Sequence, residues 1–124
     1  MLFADIRQFT RISEQMPPEA IVNMLNTYLS VVIDSILQNK GMINKFGGDN
    51  VMAVWNAPQP QSEHARLAVK AAWEAQQKLS ALQQSDASLP RMQFGIGINT
   101  GKVLAGNVGS WGRVEYTVIG DTVN

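Results

Sequence analysis

The sequence predicts an α+β fold, a ferredoxin-like α/β sandwich in which helices pack on a mainly antiparallel sheet. Three observations carry that expectation. Two long stretches place apolar residues at three- and four-residue steps, as helices buried along one face require. Short apolar runs lie around them, bounded by glycine, asparagine and proline. The resulting order is strand, helix, strand, strand, helix, strand, strand, and a chain of 124 residues holds one such core.

The elements follow in order. Met1 to Ala4 is an apolar run that ends at Asp5, which predicts a first strand with a carboxylate at its edge. Pro17-Pro18-Glu19 opens a helix, because proline is tolerated in the first turn and an acidic side chain suits the positive end of the dipole. Ile21, Leu25, Leu29, Val32, Ile36 and Leu37 continue it, and Gly41 after Lys40 is the predicted stop. Met42 to Phe46 and Asn50 to Asn56 are strands joined by a tight turn at Gly47-Gly48-Asp49, where glycine supplies positive φ. After the loop Ala57-Pro58-Gln59-Pro60, Ser62 with Glu63 is expected to cap a second helix. Its apolar stripe runs through Ala65, Ala68, Ala72, Ala75, Leu79 and Leu82. Gln83 to Pro90 is a polar loop, and Met92 to Asn99 with Lys102 to Val108 read as a second hairpin turning at Thr100-Gly101. Gly112-Arg113-Val114-Glu115 has the character of an exposed loop or arm.

Composition narrows the function classes. Ten Lys and Arg balance ten Asp and Glu, so nothing argues for a nucleic-acid partner. The absence of cysteine excludes a disulfide framework and a thiolate metal site. His64 is the single histidine, cannot build an imidazole cluster, and falls in a helical pattern as a first-turn residue. No apolar run reaches the roughly eighteen residues that a membrane span needs, and no signal-peptide pattern opens the chain. The expectation is therefore a cytoplasmic domain, whose parent protein could still be membrane-tethered. The chain begins almost directly on one motif and stops at Asn124 inside another, so it reads as residues 1–124 of a larger protein, cut short at the C-terminal end and with room for a few more residues at its start.

Asp5 and Asp49 each sit at the edge of a short apolar run, Met1 to Ala4 and Val51 to Trp55, which places both at strand ends or turns. An aspartate beside a glycine is ordinarily a turn residue. Two so placed suit a hard cation such as Mg²⁺, which is usually gripped by one or two carboxylates plus substrate phosphates. That points to a nucleotide enzyme.

Four segments, FADIRQFT from Phe3, NKFGGDNVMAVW from Asn44, GIGINTGKVLAGNVGS from Gly95 and EYTVIGDTVN from Glu115, together resemble the catalytic domain of class III nucleotidyl cyclases in order and spacing. The resemblance spans essentially the whole chain. It implies an adenylate cyclase, a phosphorus–oxygen lyase that makes 3′,5′-cyclic AMP and pyrophosphate from ATP. It implies two Mg²⁺ or Mn²⁺ ions at Asp5, Ile6 and Asp49, one activating the ribose 3′-hydroxyl and one holding the triphosphate. Lys45 would read the purine, since an ammonium donates to the unprotonated N1 of adenine, and Thr117 would accept from the 6-amino group. Phe9 and Thr10 follow the first aspartate where the family brings backbone N–H groups to the triphosphate. Asn124 resembles the asparagine that positions the ribose. A charge-stabilising arginine is expected four residues beyond it, outside this sequence, so the fragment alone is expected to be inactive. Family resemblance also implies a homodimer with sites at its interface, metal aspartates from one protomer and Lys45, Thr117 and Asn124 from the other, and an upstream sensor or regulatory domain.

Two alternatives stand beside this. Phe46-Gly47-Gly48-Asp49 is similar to the GG(D/E)EF signature of diguanylate cyclases, which use GTP, but Asn50-Val51 follow where that family has Glu-Phe. A non-catalytic regulatory cyclase-homology domain usually loses a metal aspartate or the base-reading lysine, and this chain keeps both. Gly95, Gly97, Gly101, Gly106 and Gly109 read as hairpin and close-packing glycines, and Trp55, Trp73 and Trp111 as core or interface groups.

Overall fold

The computed structural model of the chain describes residues 1–110 and 113–123, and for 110 and 113–117 it gives the backbone course. The elements are β1 (Leu2–Ile6), α1 (Phe9–Ser13), α2 (Pro18–Gln38), β2 (Met42–Phe46), β3 (Asn50–Val54), α3 (His64–Ser85), β4 (Phe94–Ile98), β5 (Leu104–Ser110) and β6 (Arg113–Ile119). Four strands form one sheet in the order β2-β3-β1-β4, every neighbouring pair antiparallel. Since β1 and β2 both oppose β3, they run parallel to each other, and α2 is the crossover between them. By the same reasoning α3 joins β3 to its parallel partner β4 around β1. Two interleaved βαβ units of this kind are the expected sandwich.

Both helices pack on one face of the sheet and on each other. Leu2, Ala4 and Ile6 alternate into that core from β1, and Met24, Tyr28, Leu29, Val32 and Ile36 meet them from α2. By length and composition α2 could cross a membrane, but this buried stripe makes it the core helix of the sandwich. From α3 the core takes Ala68, Ala71 and Ala75, small side chains that let the two helices approach closely, together with Leu79. Several buried polar groups among the described residues are paired across elements. The Tyr28 hydroxyl donates to the Pro90 carbonyl at 2.5 Å, the Trp55 indole to the Asn39 carbonyl at 2.8 Å, and the Asn39 amide to the Ser35 carbonyl and to Glu74.

The structure departs from the sequence expectations at several places: the Gly47-Gly48 turn is made without positive φ at either glycine, Ala65 is exposed while Ala71 enters the core, and α3 runs on through Gln83 to Ser85. A short helix, α1, occupies the turn after β1. Ser62 does not cap α3; Glu63 precedes the helix without a side-chain cap and spends its carboxylate on Arg66 at 2.7 Å, which holds the Glu63 carboxyl below its ordinary value through that hydrogen bond and charge. β4 does not pair with β5. It lies beside β1, while β5 pairs with β6 in a separate two-stranded ribbon, so Arg113-Val114-Glu115 are strand rather than loop. Alternation identifies a strand but not its partner. Finally, α2 ends on Lys40 at φ +64°, with Lys40 N–H bonded to Leu37 O and Gly41 N–H to Ile36 O. This is a Schellman end with lysine, not Gly41, in the left-handed position. Gly41 is required by packing instead, since a Cβ there would lie 2.6 Å from both Ile36 and the Trp55 ring.

The sheet face away from the helices carries a second, smaller cluster, Met52, Val54 and Val118, flanked by Met1, Met42, Val103, Ala105 and Val123. It attaches the β5–β6 ribbon to the sheet.

Candidate active site

Strand alternation sends Leu2, Ala4 and Ile6 into the core, so Phe3 and Asp5 face away from the helices. Asp5 sits opposite Asn50 of β3 and opposite Gly95 of β4. One step back along the chain from Asn50, Asp49 accepts the Ile6 N–H on its backbone carbonyl at 3.0 Å. The two aspartates therefore stand at the same end of the sheet, Asp5 on β1 and Asp49 in the turn that leads into β3, with Ile6 bonded to the latter. The Gly47-Gly48 turn holds this arrangement through Gly47 N–H to Asn50 O at 2.9 Å, and the Asn50 amide donates to the Asp49 carboxylate at 3.3 Å.

Among the described residues no group of three or more His, Cys, Asp or Glu side chains converges. The donors here are two carboxylates and backbone carbonyls. Such an oxygen-only, incomplete set fits a hard divalent ion whose remaining ligands are water and phosphate, and it does not fit a structural zinc site.

Lys45 reaches the aspartate face through an irregularity. In the β2–β3 ladder Met42 opposes Val54 and Ile43 opposes Ala53, but Lys45, not Asn44, opposes Met52. Asn44 is the extra residue of a β-bulge. Without it, Lys45 would oppose Val51 and share that residue's core side; with it, Lys45 lies on the face of Met52, Phe3 and Asp5. Lys45 is exposed there.

After β1 the chain reverses at Gln8, whose φ of +57° is left-handed, and Ile12 N–H closes the turn onto Gln8 O. This puts Phe9 half-buried against the core and leaves Thr10 exposed. Thr117 lies on β6 opposite Gly106, next to the buried Val118, and its side chain lies outside what the structure describes. Asn124, Trp111 and Gly112, the first residue of the expected arm, also lie outside the described residues.

Sequence reading passed over Arg7. Its Nε stands 3.8 Å from Asp5 Oδ1, and its guanidinium lies across Gly95, where any Cβ would overlap it. The signal was present, since opposite charges two residues apart along an extended chain share a face. A cleft of roughly 390 Å³, lined by Trp55, Asn56, His64, Asn99 and Lys102 among others, lies at the other end of the sheet, and none of the predicted site residues lines it.

The whole chain, residues 1–124, matches the family described as the adenylate and guanylate cyclase catalytic domain. It is 39% identical over 125 residues to Adenylate cyclase 1 of Rhizobium meliloti (strain 1021), covering 99% of this chain and 19% of that protein. The crystal structure of the guanylyl cyclase Cya2 superposes with a TM-score of 0.91 at 39% identity, covering 98% of this chain and 63% of that one. The adenylyl cyclase CyaB from P. aeruginosa superposes with a TM-score of 0.91 at 35% identity, covering 98% and 65%. The chain thus spans about a fifth of the Rhizobium protein and a little under two thirds of each solved cyclase.

Proposed function

This chain belongs to the adenylate and guanylate cyclase catalytic domain family, and from that membership we propose that the protein containing it converts ATP to 3′,5′-cyclic AMP and pyrophosphate. The ribose 3′-oxygen forms a bond to the α-phosphorus, the bond from that phosphorus to the β-phosphate bridging oxygen breaks, and the 3′-hydroxyl proton leaves the site. Solved relatives of nearly equal similarity act on different purines by name, a guanylyl and an adenylyl cyclase, so overall likeness does not choose the base. The observation that carries the choice is the bulge at Asn44, which turns Lys45 to the face of Asp5. An ammonium there donates to adenine N1, whereas the N1–H of guanine would meet a second donor. Thr117 completes the reading by accepting from the 6-amino group.

Asp5, Asp49 and the Ile6 carbonyl would hold Mg²⁺ or Mn²⁺, two ions per site. When bound, these ions supply charge stabilisation to the attacking and leaving oxygens of the displacement. The chain's own share is to fix one carboxylate on β1 and the other in the turn leading into β3, to orient the base through Lys45 and Thr117, and to present backbone N–H groups at Phe9 and Thr10 to the triphosphate. Asn124 would position the ribose. Asp5 lies on an open sheet face with a side chain 53% exposed, which supports a site closed by a second protomer. We further propose a cytoplasmic location, where ATP is available, and an attached regulatory region, for which the Rhizobium relative has ample chain beyond the aligned 19%.

The test is turnover of ATP against GTP by the full-length protein. A strong preference for ATP is expected, since a site that leaves buried donors or acceptors unpaired on the wrong base can discriminate by about 10⁴. Lys45→Glu combined with Thr117→Cys should erode it. Equal use of ATP and GTP by the unmutated protein would overturn the assignment.

A further inference from the structure

We propose that Arg7 is a built-in counter-cation of this site, one that neutralises Asp5 in the absence of metal and competes with the divalent ion for it. The inference rests on the metal role of Asp5 argued above.

Two independent features of the structure carry it. The first is the ion pair, Arg7 Nε to Asp5 Oδ1 at 3.8 Å, with the arginine backbone fixed by its N–H bond to Gln93 O at 2.8 Å. The second is the seat. Gly95 lies opposite Asp5 in the β1–β4 register, and a Cβ at Gly95 would overlap Arg7 Nη2, Nε and Cζ. Gly95 has no positive φ that would call for glycine. Its missing side chain therefore serves the guanidinium, which lies flat on bare backbone beside the carboxylate.

The consequence is electrostatic. Asp5 and Asp49 present two negative charges, and Arg7 cancels one of them. A divalent ion arriving alone must displace the guanidinium and sit beside it against repulsion. One arriving with a triphosphate brings compensating anionic charge, which the released guanidinium then faces. Arg7 thus favours entry of metal together with nucleotide over metal binding ahead of it, and it acts through Asp5 as a positioning residue.

The experiment measures Mn²⁺ binding by electron paramagnetic resonance in the full-length protein without nucleotide, for the unmutated form, Arg7→Gln, Arg7→Lys and Asp5→Asn. Arg7→Gln should lower the Mn²⁺ dissociation constant about three- to tenfold at low salt, combining loss of an exposed ion pair with loss of repulsion. Arg7→Lys, which keeps the charge, should return most of that change. In 1 M KCl, where the screening length falls to about 3 Å, the gap between Arg7→Gln and the unmutated form should shrink. Binding that requires Asp5 but is unchanged or weakened in Arg7→Gln would overturn the role of Arg7 and leave the metal site standing. Weakened ATP binding with unchanged Mn²⁺ affinity in Arg7→Gln would likewise overturn it, making Arg7 a phosphate ligand. Mn²⁺ binding insensitive to Asp5→Asn would overturn the metal site and this role with it.

Discussion

At the scale of single residues, Lys40 and Gly41 have exchanged the parts that their identities suggest. Glycine is the ordinary left-handed helix end, so a reading of the sequence assigns the stop to Gly41. The structure puts the positive φ on Lys40 and uses Gly41 to admit the Trp55 ring. An L-residue with a side chain in the left-handed region costs about 1 kcal/mol relative to glycine. Lys40→Gly should therefore raise unfolding stability by about 1 kcal/mol, while Gly41→Ala should lower it by about 1–3 kcal/mol through overpacking, both read from urea denaturation midpoints. Asp5 and Asp49 were legible because each interrupts an apolar run at its edge. The direction of Lys45 was not, because MINKF carries no mark of which residue the bulge will leave over. Arg7 was passed over because an exposed arginine is ordinarily solvated, and only the bare backbone of Gly95 shows that it has a seat.

Among elements, α2 is tied to the segment before β4 by one bond, Tyr28 to the Pro90 carbonyl. Burial raises the Tyr28 phenol above its ordinary value of 10.0, and Asp86 adds to this against the opposing hydrogen bond of Gln83 and the charge of Arg91. A raised folded-state value means that the native state holds its proton longer than the unfolded chain does. This contribution is fully present below about pH 10 and is lost as pH rises through the folded value. Tyr28→Phe should cost about 1 kcal/mol at neutral pH, because the Pro90 carbonyl loses its donor, and should flatten the alkaline decline in stability. Denaturation curves at neutral pH and above pH 10 check both. The two long helices and the four sheet strands were readable because their periodicities are sustained. The five-residue α1 was not, being too short to show a period.

For the whole molecule, Asp5 and Lys45 share one sheet face that faces away from the helices, with Asp49 in the turn at its end, and Phe3 on that face is 42% exposed. If two protomers complete each other's sites, Asp49→Ala and Lys45→Ala in the full-length protein should each be inactive, yet their mixture should recover activity. Random pairing of equal amounts makes about half the dimers mixed, each with one intact site, so recovery should approach roughly a quarter of the unmutated rate. No recovery despite demonstrated subunit exchange would assign every group to one protomer. The pairing of β5 with β6 escaped the sequence because glycine-rich alternation fits several partners equally well.

Among the described residues the β5–β6 ribbon shares no ladder with the main sheet, and the cluster of Met52, Val54 and Val118 attaches it there. So small an attachment predicts that the ribbon opens as its own cooperative unit while the sandwich stays folded. Amide protons of Leu104 to Val108 should accordingly exchange with deuterium faster than those of Ala4 or Ala53, by an opening that denaturant barely promotes. If Thr117 reads the base as proposed, the fraction of time the ribbon is docked multiplies the intrinsic affinity for nucleotide, and a nucleotide that engages Thr117 should slow that exchange.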